Sequence, residues 1–388
     1  MGRYYNHLIS AEKIITQNDG KQPLLHVLKK YFAANKKHGS KDRRQISALC
    51  YAYYRAALAL KAGDLQQKII QAFFITEKYK NAALEELAPE LNEAVEKPLA
   101  KKMERCGISI YDIFPFKQLL GEQVDADAFY TSFLQQPHLF LRSRPGRQEL
   151  VVQKLQQHDI DFRKLDDDSF VLKNASKLDA VLQLNKEAVV QDHSSQQVLN
   201  YLKTYKANEK ISAWDACAAS GGKSILLFDL LKGNVKISVS DIRPSMLQNL
   251  SERLKEAGVN IYRKFTADLT KPTTEPGDEK FDIILCDAPC SGSGTWARTP
   301  EQLFFFNQKS IGSFTERQQK IVTNTLPFLQ ENGLFFYITC SVFKKENEEM
   351  AAWISLQHKL PLLQQKYIAG YGRGADTMFV AVFGGEGQ

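Results

Sequence analysis

The stretch DACAASGGKS, Asp215–Ser224, lies between an apolar run, KISAWD, and a helical pattern that begins at Gly222. A glycine-rich turn lets backbone N–H groups approach a ligand closely, beside a helix N-terminus that favours negative charge. A P-loop would need a glycine five residues before Gly222, where Cys217 stands, and the dinucleotide fingerprint G-x-G-x-x-G is absent. A turn that binds S-adenosylmethionine remains the better fit.

From about residue 206 onward, apolar runs of strand character alternate with helical patterns. The strand runs are KISAWD, VKISVSD, IYRKFTAD, FDIILCD and GLFFYIT. Helices are predicted from Gly222, from Pro244, through Ile321 and over 346–357, followed by terminal strands. This alternation predicts an α/β domain with a mostly parallel, doubly wound sheet, in which ligands bind at the carboxyl ends of the strands.

Acidic residues fall at successive ends of these strands, at Asp215, Asp241, Asp268 and Asp287. Asp241 lies 19 residues after Gly222, where a carboxylate can accept hydrogen bonds from both ribose hydroxyls. Asp268 is placed to receive an adenine amino group. Each one alone is more often a turn residue or a helix cap, but together they favour an adenosine cofactor.

Six cysteines are spread along the chain, too sparsely for a disulfide framework: Cys50, Cys106, Cys217, Cys286, Cys290 and Cys340. A metal site is poorly supported, because the Cys286–Cys290 pair has no second pair and no nearby histidine. Cys286 lies inside a strand and is expected to act as a small buried apolar residue. Cys290 and Cys340 are expected to meet at the same rim of the sheet.

Two thiols beside an adenosine cofactor suggest methylation of a pyrimidine at carbon 5. A thiolate that adds to carbon 6 makes carbon 5 nucleophilic toward the sulfonium methyl group. Loss of the carbon 5 proton and expulsion of the thiol then need acid–base help. Asp287 would hold ring nitrogen 3 and the exocyclic amine. The alternative is that both thiols are structural, and the residues alone do not decide which cysteine attacks.

The net charge of +7 is concentrated near the N-terminus, where residues 1–60 hold 11 Lys and Arg against 3 Asp and Glu. A basic cluster suits a phosphate backbone, with tyrosines nearby for stacking. The cluster contains Lys36, Lys37, Lys41, Arg43 and Arg44, and the tyrosines are Tyr4, Tyr5, Tyr51, Tyr53 and Tyr54. The alternative is a solvated basic helix face.

The chain divides into three predicted domains. Residues 1–130 have helical periodicity, residues 131–205 read as a small α+β module of strand, helix and strands, and residues 206–388 form the α/β domain. The longest apolar runs are far shorter than the roughly 20 residues that a membrane span needs. The N-terminal residues do not have the pattern of a signal peptide, so a cytoplasmic location is expected.

Four motifs in order resemble the Fmu/Sun type of RNA cytosine-5 methyltransferase, close to its bacterial RsmB branch. They are VQDHSSQ, DAPCSGSGTWARTPE, TERQQKIV and NGLFFYITCSVFKKENEE, and the resemblance covers roughly 185–383. It implies a Rossmann-like class I methyltransferase domain, preceded by an all-α NusB-like RNA-binding domain and a small α+β RRM-like module. The RRM-like module lacks the aromatic signature typical of RNA stacking.

The resemblance also implies a role for each matching residue. Cys340 would be the nucleophile, Cys290 would help to release the methylated product, and Lys223 would lie near the active site and help to position Asp287. The cofactor would lie on Cys217, Ala218, Ala219, Ser220, Gly221, Gly222, Lys223, Asp241, Asp268 and Asp287.

The chain departs from the family pattern at two positions. Ser220 stands where proline is usual, so we expect a more flexible turn and somewhat weaker cofactor binding. Ala297 stands where a second basic residue is common, which leaves Arg298 as the candidate phosphate contact.

The expected function is S-adenosylmethionine-dependent formation of 5-methylcytosine in ribosomal RNA, 16S rRNA in particular, by a monomer that binds RNA and no membrane. One alternative is the same chemistry on transfer RNA, or on DNA with Cys290 attacking. The other is a catalytically weakened RNA-binding factor for ribosome assembly, for which Ser220 is the only hint.

Overall fold

The computed structural model describes residues 2–205 and 209–385. The helices in this part of the chain are α1 (Arg3–Gln17), α2 (Leu24–Ala34), α3 (Ser40–Ala56), α4 (Leu65–Thr76), α5 (Ala82–Leu87), α6 (Pro89–Asn92), α7 (Leu99–Arg105), α8 (Ile110–Ile113), α9 (Ala126–Phe133), α10 (Gln148–Gln157), α11 (Gly222–Leu230), α12 (Pro244–Glu256), α13 (Pro300–Phe305), α14 (Ser310–Thr325) and α15 (Glu348–His358). The strands are β1 (Leu139–Ser143), β2 (Phe162–Lys164), β3 (Ser169–Leu172), β4 (Ala188–Val190), β5 (Ile211–Asp215), β6 (Val235–Asp241), β7 (Ile261–Thr266), β8 (Phe281–Asp287), β9 (Leu329–Thr339), β10 (Leu362–Ile368) and β11 (Met378–Gly384). None of the described helices combines the length and the apolar character that a membrane crossing requires.

The described residues form two compact units. A helical unit contains the chain as far as Gln118, then Asp125–Gln136 and Thr295–Asn307, and a sheet unit contains Leu119–Val124, Pro137–Gly294 and the chain from Gln308 onward. The three predicted domains stay a prediction. The boundary predicted between residues 205 and 206 touches residues 206–208, which lie outside the described residues.

The helical unit confirms the helical character predicted for the N-terminal region. Leu24, Leu28 and Phe32 are buried, as their 3.6-residue spacing predicts, whereas Leu25 beside them is half exposed. The NusB-like detail of the prediction stays an expectation.

Arg55 on α3 is the buried centre of the helical unit. Its Nη1 donates to the carbonyls of Phe133 (2.7 Å), Gln135 (3.0 Å) and Ala297 (2.8 Å), and its Nη2 donates to Gln136 Oε1 (2.7 Å). Burial lowers the pKa of Arg55 to about 10, so the side chain remains charged at neutral pH. One guanidinium therefore satisfies carbonyls from chain segments that are far apart in sequence.

The short segment Thr295–Asn307 belongs to the core of the helical unit. Trp296 is buried, and its ring lies 6.2 Å from that of Phe114 and 4.7 Å from that of Phe306. Glu301 at the start of α13 accepts a hydrogen bond from the backbone N–H of Leu24 (3.0 Å). Aromatic packing and a buried hydrogen bond thus fix this segment among the N-terminal helices.

The expectation that Tyr53 and Tyr54 serve for RNA stacking is wrong. Both side chains are buried, and their rings pack at 6.0 and 5.6 Å from that of Phe304. The hydroxyl of Tyr54 accepts a hydrogen bond from Asn18 Nδ2 (2.9 Å). Helical periodicity places these two tyrosines on the core side of α3, where no base can reach them.

The sheet unit contains two sheets. The smaller one has the antiparallel order β2-β3-β1-β4, and its β1, α10, β2 and β3 coincide with the strands and helix predicted from sequence. The sequence analysis missed β4, which pairs with β1 through Leu141 and Val190.

The larger sheet has the order β10-β11-β9-β8-β5-β6-β7. Strands β5 to β9 are parallel, whereas β10 and β11 run antiparallel to their neighbours. This confirms the predicted Rossmann-like fold, with helices beginning at Gly222 and Pro244 as expected. The third strand, β7, ends at Thr266, so Asp268 lies two residues beyond its end.

A buried ion cluster joins the small sheet to α11. Arg142 Nη1 donates to Asp229 Oδ2 (2.7 Å), and the guanidinium of Arg144 contacts Asp229 Oδ1 (2.8 Å). All three side chains are less than 10% exposed. Arg144 Nη1 also donates to the carbonyl of Ala257 at the end of α12 (2.8 Å).

We predict that Asp229→Asn lowers the free energy of unfolding by about 3 kcal/mol, because it leaves two buried guanidinium groups without their carboxylate. Urea denaturation followed by circular dichroism measures the loss. The exposed Asp278→Asn is the matched control, with an expected change within about 0.5 kcal/mol. Equal stability of the two variants would contradict the prediction.

Candidate active site

The predicted cofactor turn joins the carboxyl ends of β5 and β6. The N–H of Ala218 donates to the carbonyl of Ser240 (2.9 Å), and the N–H of Ala219 donates to Asp241 Oδ2 (3.1 Å). Gly221 has φ +79° and caps α11, a backbone region that favours glycine. The turn is therefore fixed to the neighbouring strand through the same carboxylate that was predicted to bind ribose.

Ser220 in this turn is exposed, but a side chain from outside the turn donates hydrogen bonds to it. Arg253 Nη1 on α12 donates to both the carbonyl oxygen and Oγ of Ser220 (3.1 Å each). The same guanidinium donates through Nε to Asn185 Oδ1 (2.9 Å) and through Nη2 to the carbonyl of Val190 (3.4 Å). Arg253 thus restrains the turn at Ser220, where the absence of the usual proline predicts a more flexible backbone.

Asp215 at the end of β5 lies beneath the turn and is almost fully buried. Ser224 Oγ on α11 donates to Asp215 Oδ2 (2.6 Å). Burial raises the pKa of Asp215 to about 7, because the charged carboxylate is poorly solvated there. The residue ties the first strand to the first helix of the fold.

Two further acidic residues, Asp241 and Asp268, lie at or just beyond the ends of β6 and β7. Asp241 Oδ1 accepts from the N–H (2.9 Å) and Nε (3.1 Å) of Arg243, and its Oδ2 accepts from Ala219. Asp268 Oδ1 accepts from the N–H (3.1 Å) and Oγ1 (2.6 Å) of Thr270, and these bonds hold the pKa of Asp268 below its usual range. The lowered pKa keeps Asp268 ionised at neutral pH, and both side chains already accept hydrogen bonds.

Lys223 and Asp287 form an ion pair, with Lys223 Nζ donating to Asp287 Oδ2 at 2.6 Å. Burial acts to lower the pKa of Lys223, but Asp287, with smaller contributions from Cys340 and Asp215, raises it overall. A positive charge is therefore held near the Cys340 thiol. The structure brings together the two residues that the sequence analysis connected.

Cys290 and Cys340 come from loops 50 residues apart, and their Sγ atoms lie 3.4 Å from each other. Both side chains are partly exposed, and both line the cavity at the carboxyl edge of the large sheet that is described below. Contact with the Cys340 thiol, together with burial, raises the pKa of Cys290 well above its usual range. Cys286 is fully buried inside β8, as predicted, and its contact with Cys217 raises the pKa of the Cys217 thiol.

Gly294 holds the two cysteine loops against each other. Its N–H donates to the carbonyl of Cys340 (2.9 Å), and its carbonyl accepts from the N–H of Thr377 (2.9 Å). A Cβ at this position would lie 2.0 Å from the Thr377 carbonyl oxygen and 2.9 Å from that of Cys340. The second glycine of the CSGSG run is thus required by close backbone packing.

A cavity of about 650 Å³ opens at the carboxyl edge of the large sheet. The predicted residues that line it are Cys217, Ala219, Asp241, Asp268, Asp287, Cys290 and Cys340. The predicted turn residues Ala218, Ser220, Gly221, Gly222 and Lys223 are not part of this lining. The predicted thiols and acidic residues therefore share one space, with the rest of the turn and Lys223 in supporting positions.

Sequence analysis missed several residues of the cavity. They are Ile242, Arg243, Thr270, Arg317 and Ile321. Ile242 follows Asp241 directly and is 57% exposed, an unusual position for an isoleucine unless an apolar ring system packs on it. The exposed apolar residue after an acidic strand end was the signal that could have found this part of the site.

The residues present suit S-adenosylmethionine. Ile242 and Leu269 offer apolar contact for an adenine ring, and the oxygens of Asp241 retain lone pairs for ribose hydroxyls. Among the described residues, no group of three or more His, Cys, Asp or Glu side chains is close enough to hold a metal ion.

The sheet order and the turn are those of a Rossmann-like methyltransferase fold, and the cavity suits S-adenosylmethionine as its cofactor. Comparison with protein families gives a match over part of this chain. Residues 201–376 match the family model described as 16S rRNA methyltransferase RsmB/F.

Curated relatives with related names also match part of the chain. A probable ribosomal RNA small subunit methyltransferase B of Bacillus subtilis is 32% identical over 43% of this chain and 36% of its own length. Its counterpart in Synechocystis is 29% identical over 60% of this chain and 53% of its own length. The chain thus spans between about a third and a half of the length of the curated relatives that it matches.

Solved structures show the same fold. The crystal structure of PH0851 has a TM-score of 0.72 at 17% identity and covers 98% of both chains. The structure of NSun6 from Pyrococcus horikoshii with SFG, an S-adenosylmethionine analogue, has a TM-score of 0.61 at 14% identity, over 71% of this chain and 97% of that one.

We predict that the brace on the cofactor turn affects cofactor affinity. Ser220→Ala removes one hydrogen bond of about 1 kcal/mol and should weaken S-adenosylmethionine binding about fivefold. Arg253→Gln should weaken it further, because it removes the contacts to Ser220, Asn185 and Val190 together. Isothermal titration measures both dissociation constants.

The control for this prediction lies on the same helix. Lys255 is exposed on α12, and Lys255→Gln should bind S-adenosylmethionine as the unaltered protein does. Unchanged affinity in both Ser220→Ala and Arg253→Gln would show that the brace does not act on the cofactor.

Proposed function

We propose that the protein is an S-adenosylmethionine-dependent RNA cytosine-5 methyltransferase. The observation that carries the proposal is the pair of thiols, Cys290 and Cys340, 3.4 Å apart at the cavity that holds the acidic strand ends. A structural role for both thiols is less well supported, because both are partly exposed to the cavity.

Cys340 is proposed as the nucleophile. Its thiolate forms a bond from Sγ to carbon 6 of the cytosine, and the ring electrons move to carbon 5. When bound, S-adenosylmethionine supplies an electrophilic methyl group on its sulfonium, which carbon 5 accepts. The Lys223 ammonium interacts electrostatically with the Cys340 side chain.

Asp287 and Cys290 are proposed to support the two halves of the reaction. Asp287 is oriented by Lys223 and keeps one carboxylate oxygen for the cytosine amine. After methyl transfer, a base removes the carbon 5 proton, and the bond between Sγ of Cys340 and carbon 6 breaks. The raised pKa keeps Cys290 protonated at neutral pH, so its thiol is a proton donor for the departing Cys340 sulfur.

Small-subunit ribosomal RNA is the proposed substrate. The family model is described as 16S rRNA methyltransferase RsmB/F, and the Bacillus subtilis relative is named for the small subunit. A cytosine in a duplex is buried in the stack, so the target would be flipped out or taken from a loop to reach Cys340.

We predict that Cys340→Ala reduces transfer of labelled methyl groups to small-subunit ribosomal RNA to background, because no adduct can form. Cys290→Ala should instead accumulate a covalent enzyme–RNA adduct, because release is impaired. A slowly migrating band on a denaturing gel detects the adduct, and bisulfite sequencing identifies the modified cytosine.

The control is Cys106→Ala in the helical unit, which should transfer methyl groups normally. Normal turnover by Cys340→Ala would overturn the assignment of the nucleophile. Adduct formation with a DNA oligonucleotide and not with RNA would overturn the substrate class, and adduct formation with transfer RNA alone would move the proposal to that substrate.

A basic groove in the helical unit supports RNA as the partner. A cavity of about 1120 Å³ is lined by Arg3, Lys13, Lys21, Lys30 and Lys37, together with Asp19 and Asp42. The two acidic residues pair with Lys21 and Arg3, which leaves the ammonium groups of Lys13, Lys30 and Lys37 exposed and with no ion pair within the described residues. Three unneutralised cations along one groove suit a phosphate backbone.

We predict that changing Lys13, Lys30 and Lys37 together to Glu weakens RNA binding at least about tenfold at low salt. Each lost phosphate contact on a single strand reduces the slope of log affinity against log salt by about 0.7, so a total reduction of about 2 is expected. Fluorescence anisotropy with a labelled RNA between about 50 and 300 mM salt measures both quantities.

The matched control changes three other lysines of the helical unit, Lys61, Lys68 and Lys78, to Glu. It produces the same change in net charge away from the groove. If both variants lose affinity equally, net charge and not the groove governs RNA binding.

A further inference from the structure

Glu346 is a charged side chain with no solvent exposure, and the catalytic scheme above does not use it. It lies in the short turn Lys344–Glu346, five residues after Ser341 of the TCS motif. A buried carboxylate is costly unless hydrogen-bond donors surround it. Its partners therefore indicate why the fold retains it.

The Glu346 carboxylate accepts hydrogen bonds from both cysteine loops. On the Cys290 side, the N–H of Ser291 donates to Oε1 (2.8 Å), and Ser291 Oγ donates to Oε2 (2.5 Å). On the Cys340 side, Ser341 Oγ donates to Oε2 (2.6 Å). Ser291 and Ser341 directly follow the two cysteines, so one carboxylate connects the residues next to both thiols.

A third element contributes to the same carboxylate. Gln318 Nε2 on α14 donates to Glu346 Oε1 (3.2 Å) and to the carbonyl of Pro289 (3.1 Å), the residue before Cys290. Gln318 is fully buried as well. The chain on both sides of Cys290 is thus connected, directly or through Gln318, to Glu346.

The backbone of Glu346 is also fixed. Tyr337 Oη on β9 donates to the carbonyl of Glu346 (2.7 Å). Asn347 Nδ2 donates to the carbonyl of Ser341 (2.8 Å), and Thr339 Oγ1 donates to Asn347 Oδ1 (2.5 Å). The carboxylate is therefore held on a turn that is bonded to the strand carrying Cys340.

We propose that Glu346 is a positioning residue that sets the distance between the Cys290 and Cys340 thiols. The effect on methyl transfer rests on the proposed function, whereas the effect on the thiol pair does not. Glu346 contacts no reacting atom; it acts through Ser291 and Ser341, and the 3.4 Å separation of the two sulfurs is its consequence.

A carboxylate is needed at this position because its partners are all donors. Ser341 Oγ already accepts from the N–H of Phe343 (3.0 Å), so its own proton must point to another acceptor. The amide of a glutamine would place an N–H where one of these acceptor oxygens stands, so each donor that now bonds to that oxygen must turn away or reverse its hydrogen bond. Glu346→Gln preserves the shape of the side chain and removes that match.

The test measures how fast the thiol pair closes to a disulfide. Diamide takes two electrons and two protons from Cys290 and Cys340 and becomes a hydrazine, leaving one bond between the sulfurs. Mass spectrometry of the digested protein follows this disulfide separately from the other cysteines. We expect Glu346→Gln to close the pair at least tenfold more slowly, and Glu349→Gln, on an exposed glutamate of α15, at the unaltered rate.

The direction of the change in closure rate distinguishes a positioning role of Glu346 from an effect of its charge alone. The negative charge of Glu346 contributes to the high pKa of Cys290, so losing that charge alone would ease thiolate formation and speed the oxidation. Slower closure can follow only from a longer or misaligned approach of the sulfurs. Closure at or above the unaltered rate would overturn the proposal.

Methyl transfer provides the second measurement. Glu346→Gln should lower kcat at least tenfold while KM for S-adenosylmethionine stays within twofold, because the cofactor turn is elsewhere in the site. If the unaltered protein transfers no methyl group to RNA, the proposed function fails and the disulfide rates still decide the role of Glu346. If Glu346→Gln does not fold, Ser341→Ala, which removes one hydroxyl, must show the same slower closure or the proposal is wrong.

Discussion

Five parallel strands, β5 to β9, end at one edge of a single sheet, and the thiols and acidic residues of the candidate site depend on this constraint. Parallel strands place all of their carboxyl ends on the same side, where the loops contribute residues to a common space. Asp241, Asp287 and Cys340 are separated by up to about a hundred positions in the chain, yet they line one cavity. The chemistry follows from the topology together with a few side chains at the strand ends.

Buried polar groups then refine what the sheet brings together. Arg253 holds the cofactor turn, Lys223 orients Asp287, and Glu346 joins the two cysteine loops. Arg253 and Glu346 each satisfy several partners at once, and Lys223 is neutralised by one carboxylate, as charges removed from water require if they are not to destabilise the fold. Ser220 was the only hint of a catalytically weakened RNA-binding factor. A hydrogen bond from Arg253 now restrains the chain at Ser220, where proline would otherwise do so, and this weakens the hint.

The sequence predicted the large sheet well because its signals are local. Alternating apolar runs and helical patterns place β5 to β9 and the helices at Gly222 and Pro244, and strand ends mark Asp215, Asp241 and Asp287. The hydrogen-bond partners of the side chains could not be predicted in this way. The pairing of Ser291 with Glu346, or of Arg253 with Ser220, depends on loops that meet only in three dimensions, and periodicity carries no information about them. Tyr53 and Tyr54 were misread for a related reason, since nearness to basic residues in sequence does not determine which helix face is buried.

The segment Thr295–Asn307 has a consequence for how the protein can be divided. The chain leaves the sheet unit immediately after Gly294, contributes Trp296 and α13 to the helical unit, and returns at Gln308. No single cut can therefore separate the two units. A fragment that begins near residue 206 would carry this segment without the Arg55 and Phe114 partners that bury it, and would present the indole of Trp296 to water. The sheet unit of this chain is, in physical terms, not a module that can be excised.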